Sequence, residues 1–564
     1  MSRAHGRLGD VFIVLSGSPR GAVARLVAED GRPDGSDEQV DDLPAFVARL
    51  ERDRPRWVWD DTRRWYPHLL AAGVRIERCV DLRLSHAILR ASTLTTDSEL
   101  AQSPPGPWDS EPSPRRQDVE SALFYLDERD QPGEPIALDE FLAQRAAVAG
   151  CSDPGRIGLL LAAESAGALI AVEMKFAGLP VDAQLHDQLL TSLLGPRPVA
   201  GERPALLEAL LDDIRLRLGQ SDVNPDSPAD LLKALGRAGI MATSTRSWEL
   251  KRIAHPAIAP ILEYKKLARL MTANGWNWLE TWVADGRFRP DYVPGGVVTG
   301  RWAASGGGAL QLPKQVRGSV VADPGWKLVV ADASQLEPRI LSALSADQRM
   351  ADAGRGDLYE GIVASGAVAT RAEAKIAMLG AMYGATSGES GRLMPALTRA
   401  FPQAIALVEA AARAGERGEI VTTRLGRSSP LPAPEWRDAQ DDARGEGVTE
   451  ASARSARGAA RSWGRFTRNF IVQGTAAEWA LCWMAGLRGR LWSMGGPDAA
   501  ITARPHLVFF LHDEVMVHTP AELAETVVEQ VRAAAADAGR LIFGQAPVQF
   551  PVTTAVVDSY AEAK

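Results

Sequence analysis

The stretch that most constrains this chain is Leu328-Val329-Val330-Ala331-Asp332-Ala333-Ser334-Gln335-Leu336-Glu337-Pro338-Arg339. A short apolar run stops abruptly at an acid, and polar residues then recur at Ser334, Gln335, Glu337 and Arg339. Short apolar runs of this kind read as buried strands. A buried strand that delivers a carboxylate at its carboxyl end is one way to hold a hard metal ion rigidly. The competing reading is a core strand followed by an aspartate that caps the next helix. Taken alone, the stretch leaves both open.

The chain has 564 residues, room for roughly three or four domains at ~150 residues each. With 46% hydrophobic and 24% charged residues, it has the composition of a globular protein. Its apolar runs are short and interrupted, so no membrane association is expected. Met1 to Arg7 lead into no signal-peptide core, and a cytoplasmic location is the expectation. Cys79, Cys151 and Cys482 lie far apart with no CxxC spacing, which suits a reducing compartment. A net charge of −8 argues against wholesale basic wrapping of a nucleic acid, but leaves room for a local basic groove.

Read in order, residues 1 to about 100 alternate strand and helix. Val11–Leu15, Ala22–Val27 and Arg56–Trp59 read as strands, and Leu43–Leu50 and Arg63–Ala72 as helices. Pro104, Pro105, Pro107, Pro112 and Pro114 mark a loop or linker. From about 156 to 290 the pattern turns helical: Leu159–Ala177, Leu206–Leu218, a helix capped by Ser227 with Pro228 in its first turn, and one or two helices over Ile258–Trp282. Residues 346 to about 460 are again mostly helical. The polar stretch 428–457 is either a charged helix or an insertion. A helix through Asn469–Leu487, a strand pair flanking His512-Asp513-Glu514, a helix over Glu522–Arg540 and a strand at Val548–Val557 complete the expectation.

Three further constellations carry chemistry. Thr370 and Glu373 make a capping box, so a helix starts there. On it Arg371, Lys375, Leu379 and Tyr383 recur every four residues along one slowly drifting face, with Gly380 and Gly384 removing side chains close by. Two cations, an apolar surface and a ring suit a nucleoside triphosphate, although amphipathic helices often carry such residues. His512-Asp513-Glu514 lies between two apolar strands, where adjacent acids are costly unless a cation offsets them; a plain exposed hairpin tip is the alternative. Finally, Asn469 and Gln473, four apart, are placed to reach minor-groove acceptors common to all base pairs. Asp332 and Asp513 together supply two strand-end carboxylates, which with a cationic helix are the parts needed for nucleotidyl transfer.

This ordered set resembles the polymerase module of the DNA polymerase I family, family A. Asp332-x-Ser334-Gln335-x-Glu337-x-Arg339 resembles its motif A. Arg371-x3-Lys375-x4-Gly380-x2-Tyr383-Gly384 resembles motif B, and His512-Asp513-Glu514 resembles motif C. Thr299-Gly300-Arg301, Leu310-Gln311 and Gln473-Gly474-Thr475-Ala476-Ala477 resemble its template-primer signatures. The similarity runs from about 155 to the C-terminus.

The resemblance implies an α/β multidomain chain. A right-hand polymerase, with an antiparallel palm sheet and helical fingers and thumb, would follow an RNase H-like exonuclease-type domain at 1–155. The thumb would span 156–290, the palm 291–345 and 463–564, and the fingers 346–462. It further implies that Asp332 and Asp513 hold two magnesium ions (manganese being an alternative), with Glu514 beside them as a third catalytic acid. Arg371 and Lys375 would bind the incoming triphosphate near Leu379 and Gln335. Tyr383 would lie by the templating base, and Glu337 would crowd a ribose 2′-hydroxyl. His512 would contact the primer end, while Arg301, Gln311, Arg465, Asn469, Gln473 and Gly384 would track the duplex. The expected partners are primer-template DNA and deoxynucleoside triphosphates, bound by a monomer in the bacterial cytoplasm at the nucleoid.

The pattern departs from the family at several points. Leu379 stands where the family has Phe or Tyr, Ala333 replaces an aromatic residue, and the loop before Gln311 is short. The first strand runs into Ser16-Gly17-Ser18-Pro19 without the acid pair of a proofreading exonuclease, and residue 64, where a later acid belongs, is Arg64. An exonuclease-like fold without activity is therefore expected, with no 5′-nuclease domain before it. The leading reading is a template-directed DNA polymerase in repair or gap filling. A phage-type single-subunit RNA polymerase and a catalytically silent DNA-binding scaffold are the alternatives.

Overall fold

The computed structural model describes residues 11–18, 21–110, 136–199, 201–306, 308, 312–385, 388–443, 449–495, 499–511 and 513–563. Two predicted site residues, Gln311 and His512, and part of the polar stretch 428–457 lie outside the described residues.

The N-terminal part is a five-stranded mixed sheet of β1 (Phe12–Ser18), β2 (Gly21–Val27), β3 (Pro33–Val40), β4 (Arg56–Trp59) and β5 (Arg78–Asp81), in the order β3-β2-β1-β4-β5. The first three strands pair antiparallel, and β1, β4 and β5 parallel. Helices α1 (Leu43–Glu51), α2 (Thr62–Ala71), α3 (Leu82–Ala91) and α4 (Ala137–Ala149) cover it. Strand alternation divides the core in two. Ile13, Leu15, Trp57 and Trp59 face Phe46 and Leu69, whereas Phe12, Val14 and Val58 face Phe141. Asp42, Asp61 and Asp81 each cap the helix that follows them. Strand β3 is absent from the sequence expectation because Pro33-Asp34-Gly35-Ser36-Asp37-Glu38 is a polar edge with no inward face to pattern.

Helix α5 (Pro154–Ala177) starts five residues earlier than its apolar pattern, where Asp153 accepts the Arg156 amide. It is long and apolar enough to cross a membrane, yet most of it is buried inside the protein. Its side chains serve two cores, Leu169 and Val172 joining the N-terminal one and Ile157, Leu160 and Met174 the main one. A helix enclosed on all sides needs to be apolar on all sides. Helices α6 (Ala183–Leu194), α7 (Ala205–Leu218), α8 (Pro228–Arg237), α9 (Ile258–Asn274) and α10 (Trp276–Trp282) follow. The stretch 258–282 is thus two helices, broken at Gly275.

The second sheet carries the opening stretch as β6 (Trp326–Ala333), together with β7 (His506–Leu511), β8 (Glu514–Pro520) and β9 (Val552–Val557). Its order is β7-β8-β6-β9, and every pair is antiparallel. After β6 the chain runs through α11 (Leu336–Ser345), α12 (Leu358–Ala364), α13 (Arg371–Tyr383), α14 (Gly388–Ala400) and α15 (Pro402–Glu416). Within the polar stretch, Pro434–Asp442 is a short helix. The expected helix through Asn469–Leu487 is the middle of a far longer one, α16 (Glu450–Ser493), 44 residues capped by Thr449. At 1.5 Å per residue it extends about 66 Å. Helix α17 (Ala524–Phe543) packs across the second sheet.

Candidate active site

Strand β6 ends where the β7–β8 hairpin turns. Asp332 pairs directly with Glu514, and the Ala333 amide donates to the Asp513 carbonyl at 2.9 Å. The two aspartates, about 180 residues apart in sequence, therefore meet at one end of one sheet. Directly opposed residues share a face of a sheet, so Asp332 and Glu514 look the same way. Glu514 is buried and accepts a hydrogen bond from the Tyr560 hydroxyl. Burial, and then the nearby charges of Glu514 and Asp332, push the Tyr560 phenol far above its usual range. Asp513 instead lines a cleft of about 90 Å³ that it shares with Arg301, Trp302, Glu337, Ala477 and Phe510.

The turn after β6 is tight. Gln335 adopts a left-handed backbone, φ 56°, which lets the strand pass directly into α11. Its side chain is held at both ends. Oε1 accepts from the Leu358 amide at 2.9 Å and from Arg339 Nη2 at 3.3 Å, while Nε2 donates to Asp357 at 2.7 Å. Arg339 is almost wholly buried and donates to the carbonyls of Ser334, Gly354, Gly356 and Gln549. It fixes the turn and is not open to a substrate.

Helix α13 begins with the predicted capping box and ends at Gly384, φ 72°. Arg371, Lys375, Leu379 and Tyr383 are all exposed, as one helical face requires. Tyr383 donates to Glu337 Oε2 at 2.9 Å and accepts from Gln473 Nε2 at 3.2 Å. Arg301 Nη2 donates to the same Glu337 carboxylate. Arg301, Glu337, Tyr383 and Gln473, four residues singled out from separate motifs, thus form one hydrogen-bonded chain. Burial first, then the Glu337 charge, raise the Tyr383 phenol above its ordinary value.

The duplex-facing candidates Arg465, Asn469 and Gln473 lie four apart on α16, with Arg465 exposed and the other two half-buried. Gly384 gives Arg465 its place, since a Cβ there would lie 2.7 Å from Arg465 Cγ. Gly380 does something other than the sequence suggested. It is buried, and a side chain there would overlap Ser390 of α14 rather than the open face of α13.

Two residues close to this site escaped the sequence reading. Asp357 receives Arg371 and Gln335, yet in sequence it is an ordinary N-cap with Glu360 three residues on. Tyr560 reaches Glu514 from the far end of the chain, and nothing local marks it. Among the described residues no group of three or more His, Cys, Asp or Glu side chains is arranged to hold a metal ion.

A sequence profile described as DNA polymerase family A matches residues 205–562. The thermostable DNA polymerase I of Thermus thermophilus is 28% identical over 361 residues, covering 58% of this chain and 39% of the relative. That of Thermus aquaticus is 28% identical over 335 residues, covering 52% and 36% respectively. DNA polymerase I of Aquifex aeolicus is 25% identical over 303 residues, 51% of this chain and 49% of that one. The chain therefore spans less than half the length of each of these relatives. A solved structure described as the POL domain of Pol1 from M. smegmatis, in complex with DNA primer-template and dNTP, superposes with a TM-score of 0.65 at 19% identity. That match covers 98% of this chain and 96% of the other, and it establishes the shared fold.

Proposed function

The chain belongs to DNA polymerase family A, and from that premise we propose that it is a template-directed DNA polymerase extending a primer 3′-hydroxyl. The observation that carries this reading is the convergence at one sheet end. Asp332 and Asp513 meet there, and the Tyr383–Glu337 hydrogen bond ties the exposed face of α13 to the turn that follows. In this reading residues 156–290 are the thumb, 291–345 and 463–564 the palm, and 346–462 the fingers. The protein acts as a monomer in the bacterial cytoplasm, in repair or gap filling.

The donor set fits a hard divalent cation: two carboxylates on adjoining backbone positions leave the remaining coordination to water and substrate phosphates. Magnesium, or manganese in its place, would be held by Asp332 and Asp513 and would acidify the primer hydroxyl while offsetting charge on the departing pyrophosphate. Arg371 and Lys375 hold the triphosphate of the incoming deoxynucleotide by charge-assisted hydrogen bonds. Leu379 gives its sugar an apolar surface. Glu337, braced by Arg301 and Tyr383, stands where a ribose 2′-hydroxyl would have to fit. Tyr383 abuts the templating base, and Arg465, Asn469, Gln473 and Gly384 follow the duplex. Glu514, buried against Tyr560, acts by shaping the place of Asp332.

The N-terminal domain is proposed to lack proofreading activity. The acids available there are already engaged: Asp60 receives Arg64 and the Trp65 indole, Asp61 receives Arg63, and Asp81 caps α3. Burial first, then the Asp61 charge, push the Asp81 carboxyl up to about 7.

Primer extension with magnesium and deoxynucleotides tests the proposal. Wild type is expected to extend the primer, and Asp513→Ala to lose extension. Extension that survives in Asp513→Ala, or that favours ribonucleotides, counts against the reading. Nucleotide release from a 3′-labelled primer, abolished by Asp60→Ala, would overturn the silent-exonuclease part.

A further inference from the structure

Asp357 has no part in the roles proposed above. Its Oδ1 accepts the Glu360 amide at 3.0 Å, as any helix cap does. Its Oδ2 accepts from Arg371 Nη2 at 2.8 Å, from Arg371 Nε at 3.2 Å and from Gln335 Nε2 at 2.7 Å. Two nitrogens of one guanidinium converging on one anionic oxygen is the grip arginine also gives a phosphate oxygen. Glu360 adds a second carboxylate 3.8 Å from Arg371 Nε, and the Tyr359 ring centre lies 5.4 Å from the guanidinium carbon. Lys375, one turn further along the same exposed face, makes no ion pair among the described residues. Of the two cations, then, Arg371 is satisfied by an internal anion and Lys375 is not. Burial works against the Asp357 charge, but the hydrogen bonds from Arg371, the Glu360 amide and Gln335 still hold its carboxyl below the usual range.

We propose that Asp357 is an intramolecular competitor for Arg371: a triphosphate reaches the arginine only by displacing this carboxylate, which returns when pyrophosphate leaves. The proposal rests on the reading of Arg371 as a triphosphate contact. Gln335 connects the competitor to the catalytic strand. Its amide holds Asp357 from the turn that immediately follows Asp332, so the carboxylate cannot drift away from the site when Arg371 is released. The pair is half exposed, so water and salt screen it and its hold on Arg371 is weak. The competitor therefore sets a threshold without closing the site. It weakens binding of every ligand that depends on Arg371, and leaves untouched any that does not.

The test uses the full chain on a dideoxy-terminated primer-template with magnesium, titrated with the next complementary deoxynucleotide to give its dissociation constant without chemistry. Asp357→Asn and Asp357→Ser both keep an acceptor for the Glu360 amide, so the cap survives. Each is expected to bind the nucleotide about two- to five-fold more tightly. Arg371→Gln is expected to weaken binding, and adding Asp357→Asn to it should restore nothing. Unchanged or weaker binding in both Asp357 variants, or the same gain in the Arg371→Gln background, overturns the competitor while the site reading stands. Unaltered binding in Arg371→Gln alone overturns Arg371 as a triphosphate contact, and the competitor with it.

Discussion

Leu379 stands on the exposed face of α13 between Lys375 and Tyr383, where a side chain meets whatever that face binds. An isobutyl group offers an apolar surface but no ring to stack. Leu379→Phe or Leu379→Tyr is expected to raise nucleotide affinity about tenfold, the lower range of aromatic stacking, and to shift the preference between deoxy- and dideoxynucleotides. Single-nucleotide incorporation kinetics with both substrates measure this, and identical constants in wild type and variant would refute it. The four exposed positions were legible because a period of 3.6 assigns residues to a face without reference to anything else. Gly380 was misread for the converse reason. Periodicity gives its direction on the helix, but Ser390, which occupies the space, belongs to the next helix. Asp357 and Tyr560 are useful only through partners 14 and 46 residues away, and no local pattern encodes those meetings.

Helices α15 and α16 cross so closely that the glycines at the crossing, Gly415 and Gly464, are structural. A side chain at Gly415 would overlap Thr467, and one at Gly464 would lie 2.8 Å from the Ala412 carbonyl. Gly458, also inside α16, has nothing within 4 Å of its missing Cβ. The same substitution should therefore have opposite signs. Gly415→Ala is expected to destabilise by about 1–3 kcal/mol through overpacking, and Gly458→Ala to stabilise by about 0.5–1 kcal/mol through helix propensity. Denaturant midpoints of the two variants decide it; equal shifts would mean that the crossing is not tight. The length of α16 was hidden from the sequence reading. Its first turns carry Arg, Ala and Ser with few apolar residues, and they look like an insertion until the neighbouring helices are in place.

Across the whole molecule, one buried cluster joins the N-terminal domain to the rest. Glu173 of α5 accepts from Arg488 of α16, from Arg75 and from the Tyr66 hydroxyl, and Arg488 also donates to the carbonyls of Ile76 and Glu77. Although burial opposes the Glu173 charge, Arg488 and Arg75 hold its carboxyl far below the usual range. Arg488→Met leaves that charge with one cation and is expected to cost about 3–5 kcal/mol in unfolding free energy, measured by denaturant titration. A loss below 1 kcal/mol would show that the joint is slack. The sequence could not announce this docking, because its members come from three distant segments.

A second buried pair makes stability depend on pH. His506 and His518 face each other across β7 and β8, with Trp326 stacked on His518 and Asp323 and Arg287 alongside. Burial is the first cause of lowering for both, to about 4 for His506 and to about 3 for His518, where the neighbouring His506 adds to it. The unfolded chain takes up these protons below pH 6.5 and the folded chain does not. Their contribution is thus complete above 6.5 and is lost as pH falls from there towards 4. Burial raises Glu51, Asp81 and Glu478 to about 7, and their contribution has the opposite sense, present at low pH and lost as pH rises through 7. A variant isolates the histidines from that background. His518→Gln is expected to gain on wild type by about 1.4 kcal/mol for each pH unit below 6.5. A difference that stays constant from pH 7 to pH 4.5 would show that His518 titrates normally.

The pairing of β6 with β8 also has a consequence in time. A ribosome adding about 5–20 residues per second needs roughly 10–35 s to travel from Asp332 to Asp513. For most of that interval, once Tyr383 has been added, the nascent chain carries α13 with its cations, and the strand that bears Asp332 has no neighbour to align it. The proposed active site is therefore completed late and all at once, when the β7–β8 hairpin emerges. A chain that stalls between Tyr383 and Asp513 holds the proposed nucleotide-binding helix without the second carboxylate that would sit beside Asp332.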